Sequence, residues 1–255
     1  MKNKIIPVFL LASLISVSML AQQKGDPKAT EFYSPVPKVV MPGAATSDAP
    51  SDAIVLFDGK NLDQWSSVKT PGAPAAWNVA DGILTVNKSA GNIQTKKSFA
   101  DYQLHLEWRI PANITGEGQA RGNSGVFLAS TGPGDDGYEI QILDCFNNST
   151  YVNGQTGSVY KQAIPMANAC KKPGEWQTLD IVFQAPKFND AGKKTANAKF
   201  VSIKLNGKEI QKNVEAPKPT GGELSSEEAS MGPLLFQGDH GPVAVRNVRV
   251  KEINR

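Results

Sequence analysis

The segment Tyr102-Gln-Leu-His-Leu-Glu-Trp-Arg-Ile110 constrains the chain more than any other, because its apolar and polar residues alternate without a slip. Tyr102, Leu104, Leu106, Trp108 and Ile110 share one face, and Gln103, His105, Glu107 and Arg109 share the other. A period of two marks a strand with one face on a core and one polar face. Tyr138-Glu-Ile-Gln-Ile142 repeats the pattern, with Glu139 and Gln141 on the polar side. Asp81-Gly82, between Trp77-Asn-Val79 and Ile83-Leu-Thr-Val86, and Asn206-Gly207, between Phe200-Val-Ser-Ile-Lys-Leu205 and Glu209-Ile210, are the pairs that two-residue hairpins demand. Further strands are expected at Val126–Leu128, Gln177–Phe183, Pro233–Phe236 and Val243–Ile253, and no convincing amphipathic helix stands out from Ile54 onward. About a dozen short strands predict an all-β domain, a jelly-roll β-sandwich of two stacked antiparallel sheets.

The two ends of the chain read differently. Lys2 and Lys4 precede an apolar stretch from Ile5 to Leu20 that closes on Ala21, the pattern of a cleavable secretory signal over residues 1–21. The stretch is shorter than the roughly 20 residues that span a bilayer, so no membrane span is expected once the signal is removed. No cysteine near Ala21 offers a site for a lipid anchor, and a periplasmic or secreted destination follows as the expectation. Residues 22–51, with Pro27, Pro35, Pro37, Pro42 and Pro50, read as a flexible linker, and residues 52–255 as a single jelly-roll domain. The net charge is +3, with lysines and arginines scattered among acids, so no nucleic-acid partner is expected.

In an oxidising compartment the two cysteines, Cys145 and Cys170, are expected to form a disulfide worth roughly 3 kcal/mol, two buried thiols being the alternative. Two cysteines and two histidines do not suggest structural zinc. Asn87, Asn113 and Asn148 open N-x-Ser/Thr triplets, which matter only in a host that glycosylates its exports.

Three patterns carry potential chemistry. Glu139-Ile-Gln-Ile-Leu-Asp144 places a carboxyl, an amide and a second carboxyl at i, i+2 and i+5. A one-residue bulge between Gln141 and Asp144 would bring all three to one face. The spacing resembles the bulged acid motif of retaining jelly-roll glycosidases, with Gln141 in place of the middle acid; such hydrolysis needs carboxyl groups about 5 to 5.5 Å apart. The bland alternative is that Glu139 and Gln141 are solvated strand positions. The second pattern, Phe236-Gln-Gly-Asp-His-Gly241, sets His240 in a glycine-flanked turn where an imidazole can take and return a proton. The third, Arg121-Gly-Asn-Ser-Gly125, is a polar turn suited to sugar hydroxyls, though such turns also occur for backbone reasons alone. The long connection from Asp144 to about Glu175 reads as a site wall. Ala216 to Met231 receives no role, and neither does His105.

Read together, these segments resemble the 3-keto-disaccharide hydrolase domain family, also described as 3-keto-glycoside hydrolase/lyase and once a domain of unknown function. The likeness runs through Leu56-Phe-Asp-Gly59, Phe99-Ala-Asp-Tyr102, Leu106-Glu-Trp-Arg109, Gly122-Asn-Ser-Gly125, Tyr138-Glu-Ile-Gln-Ile-Leu-Asp144, Thr156-Gly-Ser-Val-Tyr160, Pro173-Gly-Glu-Trp176, and Gln237 to His240 with Val245-Arg-Asn-Val248. It implies a concanavalin-like sandwich acting on a small saccharide or glycoside already oxidised at C3 by a separate sugar 3-dehydrogenase. Cleavage would then proceed by C2 deprotonation and elimination at C1, with or without rehydration. On that reading His240 or Glu139 is the C2 base and Asp144 its partner or the leaving-group acid. Arg109, Arg121 or a divalent metal held by Glu, Asp and His would stabilise the enolate. Glu107, Asn123, Gln141, Tyr160, Lys161 and Gln237 would hold the sugar. Two competing expectations are a non-catalytic carbohydrate-binding module and a retaining glycosidase on unoxidised glycans.

Overall fold

The computed structural model describes residues 31–253, apart from 33, 46–47, 132–135 and 221–226. The expected signal, residues 1–21, lies outside the described residues. The chain divides into a unit Met1–Val39 and a unit Val40–Arg255, and the described residues of the first hold no strand. Within the expected linker, Met41 and Ser51 exchange backbone and side-chain hydrogen bonds of 2.9 and 3.0 Å. No helix among the described residues is long and apolar enough to cross a membrane.

The second unit is built of strands and short 3-10 turns. In chain order they are β1 (Ile54–Phe57), β2 (Trp65–Ser67), β3 (Asn78–Ala80), β4 (Ile83–Thr85), β5 (Ile93–Phe99), β6 (Tyr102–Arg109), β7 (Ser124–Leu128) and β8 (Tyr138–Ile142). There follow β9 (Gln177–Gln184), β10 (Lys187–Phe188), β11 (Lys194–Ala196), β12 (Ala198–Leu205), β13 (Lys208–Ala216), β14 (Gly232–Phe236) and β15 (Ala244–Glu252). One sheet runs β13-β12-β9-β6-β15-β4-β3, with β1 also on β15; the other runs β2-β5-β14-β7-β8. The pairings are antiparallel. This is the expected jelly-roll β-sandwich of two stacked sheets.

Alternation explains the stacking. The odd-numbered polar residues of β6 point outward, while Leu104, Leu106 and Trp108 are buried between the sheets with Val248 and Val250 of β15 and Ile181 of β9. Aromatic contacts cross the gap, with Tyr102 5.6 Å from Phe99 and Tyr138 5.8 Å from Phe183, ring centre to ring centre. Both expected hairpins form, and Asp81 (φ 51°) with Gly82 (φ 75°), like Asn206 (53°) with Gly207 (79°), supplies the two positive φ values of a type I′ turn. β5 was not expected: Lys96-Lys97-Ser98 interrupts its alternation, and the register against β14 shifts between Pro233 and Leu235.

Among the described core residues, Trp108 Nε1 and the Tyr102 hydroxyl are buried polar atoms without a hydrogen-bond partner. The Tyr102 phenol is fully buried with no hydrogen-bond partner, and desolvation raises its pKa well above the usual phenol range. An unsatisfied buried hydroxyl costs about 1–3 kcal/mol. Tyr102→Phe is therefore expected to keep the fold and raise the thermal midpoint by about 2–4 °C per kcal/mol recovered, measured by circular dichroism; a lower midpoint would show that the hydroxyl is satisfied.

Candidate active site

The candidate site lies on the outer face of the five-stranded sheet, at its β8 edge. β7 and β8 pair in regular register, Gly125 opposite Gln141 and Phe127 opposite Glu139, with no bulge. Val126, Leu128, Ile140 and Ile142 point to the core, so Gly125, Glu139 and Gln141 face outward. They are nonetheless buried, Glu139 to 5% and Gln141 to 1% exposure. The reason is the chain that covers the free edge of β8. Gly157 and Tyr160 donate to the carbonyls of Gln141 and Glu139 (2.9 and 3.0 Å), and Gln141 N–H donates to Ser158 (3.2 Å). Glu139 N–H donates to Thr220 Oγ1 at 2.5 Å. The connection after Asp144 is thus a site wall as expected, while the segment given no role anchors Glu139 through Thr220.

Gly125 makes room for the carboxyl. A Cβ there would stand 2.7 Å from Glu139 Oε1 and 2.8 Å from the Phe127 ring. Gly154 does the same for a phenol: a Cβ would overlap the Tyr151 ring at 2.0 Å, and the ring lies where its hydroxyl bonds to that of Tyr160. Burial, with the Tyr151 hydrogen bond, pushes the Tyr160 phenol up, so Tyr160 keeps its proton. Lys161 stands at the rim with its ammonium 5.3 Å from the Tyr160 ring centre.

An amide network lies beside the carboxyl. Gln119 Nε2 donates to Thr150 Oγ1 (2.8 Å) and to the carbonyl of Gly154 (2.9 Å), and Asn123 Nδ2 donates to the carbonyl of Gln119 (2.9 Å). Gln141 Nε2 lies 3.0 Å from Gln119 Oε1 and 3.2 Å from Asn123 Oδ1. Gln237 adjoins it, its N–H on Gly125 (3.0 Å) and its carbonyl taking Ser124 Oγ (2.9 Å).

Several expectations are corrected. The regular β7–β8 register ends at Ile142, and beyond it Asp144 N–H donates to the Arg121 carbonyl (3.3 Å). Asp144 is 2% exposed and ion-paired with Arg121 (Nε to Oδ2, 2.7 Å), while its Oδ1 takes Phe146 N–H and Arg121 also holds the Phe146 carbonyl. The pair ties the β7 approach to the β8 exit, which commits both residues. Glu107 and Arg109 lie on the opposite outer face, that of the eight-stranded sheet. Burial pushes Glu107 up, but hydrogen bonds from Asn247 and Arg246 outweigh it and hold the carboxylate below its usual range. Arg109 and Arg246 both lie on the Trp176 ring, at 4.6 and 4.1 Å. His105 is on this face too, 2.7 Å from Asp180.

His240 sits half-exposed on the loop after β14, three residues past Gln237, with Nδ1 2.5 Å from Asp239 Oδ1. Cys145 and Cys170 are free thiols in contact. The Cys170 thiol hydrogen-bonds the Cys145 sulfur, which also takes Thr156 N–H at 3.2 Å, and this draws Cys145 down to about 7. Among the described residues no three His, Cys, Asp or Glu side chains cluster to hold an ion. Gln119, Tyr151 and Thr220 were missed by sequence reasoning, because none stands in an alternating or motif-bearing segment.

The fold and the comparisons with known proteins together mark a carbohydrate-active, glycosyl-hydrolase-like domain. The chain belongs to the 3-keto-alpha-glucoside-1,2-lyase-like domain family, whose model matches residues 52–251. It is similar to the crystal structure of a protein named as a candidate glycosyl hydrolase from Parabacteroides distasonis ATCC 8503, at 46% identity and a TM-score of 0.80, covering 89% of this chain and 97% of the other. Two further candidate glycosyl hydrolases from that organism share the fold, at 21% and 24% identity with TM-scores of 0.59 and 0.54, each covering 79% of this chain and 94% and 99% of their own. No curated protein matches the chain.

Removing one partner of the Arg121–Asp144 pair leaves a buried charge uncompensated. Asp144→Ala is expected to destabilise the fold by about 3 kcal/mol, read as a lower midpoint in denaturant; an unchanged midpoint would show that the pair does not hold the wall in place.

Proposed function

We propose that this protein is exported to the periplasm or secreted and cleaves glycosides whose C3 hydroxyl has already been oxidised to a ketone. The ketone acidifies the C2 proton. A base removes it, the electrons move into the enolate, and the C1–oxygen bond breaks as the leaving oxygen takes a proton. Water adding at C1 completes net hydrolysis; without it the product is an unsaturated keto sugar. The route needs a base, a donor to the enolate oxygen and a donor to the leaving group.

The observation that carries this reading is the buried Glu139 carboxyl laid over Gly125 beside the Tyr151–Tyr160 pair, in a domain of this family. Glu139 serves the leaving group. Tyr160, which holds its proton, donates to the enolate oxygen. His240, with Asp239 holding Nδ1, presents Nε2 as the C2 base. Asn123, Gln237 and Lys161 contact the sugar. A retaining glycosidase needs a second carboxyl facing the first, and Asp144 is committed to Arg121, which favours elimination. In an oxidising compartment Cys145 and Cys170, free thiols here, would be oxidised to a disulfide, a reading supported by the hydrogen bond between them.

The test is incubation with 3-keto-glucosides, with and without chelator, read by mass spectrometry. Loss of the aglycone with a keto-sugar product supports the reading, and the chelator arm reports any cation requirement. Glycan binding without turnover of any keto sugar would make the chain a binding module; reducing sugar released from an unoxidised β-glucan would make it a direct glycosidase. Gly125→Ala is expected to lower kcat/KM at least 10-fold, roughly 1.4 kcal/mol of transition-state stabilisation, with little change in circular dichroism. Unaltered kinetics would remove Glu139 from the site.

A further inference from the structure

The amide of Gln141 lies between two sets of oxygen atoms. On one side are Gln119 Oε1 and Asn123 Oδ1, at 3.0 and 3.2 Å. On the other are Glu139 Oε1 and the carbonyl of Ser124, at 2.8 and 3.3 Å. A side-chain amide has donors at one end only, so one side must face its oxygen.

Heavy atoms alone do not say which way the amide points; the neighbours do. Suppose Gln141 turned its NH2 toward Glu139 and Ser124. Its oxygen would then meet Gln119 and Asn123, and both would have to turn their own NH2 groups to it. Each of those amides already gives its NH2 to a backbone carbonyl: Gln119 to Gly154 at 2.9 Å, and Asn123 to Gln119 at 2.9 Å. A carbonyl cannot donate in return, so the reversals would press oxygens together at two 2.9 Å contacts in a buried site, a greater cost than the one 3.3 Å contact with the Ser124 carbonyl that the other orientation leaves. Gln119 and Asn123 are therefore fixed with their oxygens toward Gln141, and Gln141 is fixed with its oxygen toward Glu139. Two oxygens 2.8 Å apart need a proton between them. The amide has none at that end, but a carboxyl group can carry one.

We infer that Glu139 is a neutral carboxylic acid in the free protein, donating to Gln141 Oε1, and that Gln141 is the positioning residue that keeps it so. This rests on the proposed elimination for its consequence, since it makes Glu139 the acid and leaves deprotonation of C2 to another group. As the C1–oxygen bond breaks, its electron pair stays on the leaving oxygen, which takes the proton of Glu139. The resulting carboxylate regains a proton from the water whose hydroxide adds at C1, or from solvent if the unsaturated sugar is released. Among the described residues, the titratable groups on this face include Tyr160, which burial and the Tyr151 hydrogen bond keep protonated, Lys161, whose ammonium lies 5.3 Å from the Tyr160 ring centre, and the Arg121–Asp144 pair at the end of β8. Beyond Gln237, Asp239 and His240 pair with each other.

The acid can be observed without any substrate. In the infrared difference spectrum of wild type against Glu139→Gln at pH 7, the wild type is expected to contribute the carbonyl stretch of a protonated carboxyl; a carboxylate stretch instead overturns the proposal. The folded state holds a proton that the unfolded chain releases above the ordinary carboxyl range. Wild type should therefore lose stability relative to Glu139→Gln as pH rises from 5 to 8, and a flat or opposite trend overturns it. Should Glu139→Gln fail to fold, carbon-13 NMR of wild type labelled at the glutamate carboxyls asks the same question, with one resonance expected at the protonated position at pH 7 and none there counting against it.

Kinetics separate this from the functional reading. Glu139→Gln should cut turnover of alkyl 3-keto-glucosides more than 100-fold and that of the nitrophenyl 3-keto-glucoside, whose leaving group needs no proton, by less than 10-fold. Equal losses on both overturn the acid role. If the infrared band is present and no keto-glycoside is cleaved, the protonation stands and the proposed elimination falls.

Discussion

The free edge of β8 is the constraint on which the rest of the site depends. An edge strand exposes a row of unpaired amides and carbonyls, and proteins must cover or blunt it. Here residues 157–160 pair with it and Thr220 takes a further N–H. That covering turns an outward strand face into a buried one, so Glu139 and Gln141 leave water although their strand position alone would put them in it. The Arg121–Asp144 pair and the contact of Cys145 with Cys170 secure the covering chain near its start. The sheet supplies the angle of each side chain, and the loop supplies the dry surroundings.

The two outer faces of the sandwich use similar residues to different ends. Glu107, Arg246, Asn247 and Trp176 form a saturated cluster in which each charge is answered by another. On the β8 face the carboxyl is answered by an amide oxygen, and Tyr160 beside it is a phenol that holds its proton. The first arrangement is stable as it stands. The second has protons available to give away.

Much of the fold was legible because alternation is a local signal. β6 and β8 run where their periods placed them, and both hairpins close on the dipeptides that favour them. β5 was hidden by its own lysines and by a register shift that only its partner strand reveals. The site was legible in part. Glu139, Gln141, Asn123 and Tyr160 come together, whereas Glu107 and Arg109 do not, since alternation says that a residue points outward but not from which sheet. The pairing of Asp144 with Arg121 was not legible, because Asp144 lies past the regular β7–β8 register and no local pattern joins the two residues. Gln119 and Thr220 reach the site across 22 and 81 positions of chain, a separation over which no local pattern speaks.

Position 141 has a consequence that reaches past the fold. A carboxylate there would compete with Glu139 for one hydrogen and would bring its own charge, leaving the state of the pair to the acidity of the medium. A carboxamide has no such state to change. Exchanging a single oxygen for nitrogen therefore converts a shared, medium-dependent proton into one assigned to a known owner, and the acid arrives at each encounter already loaded.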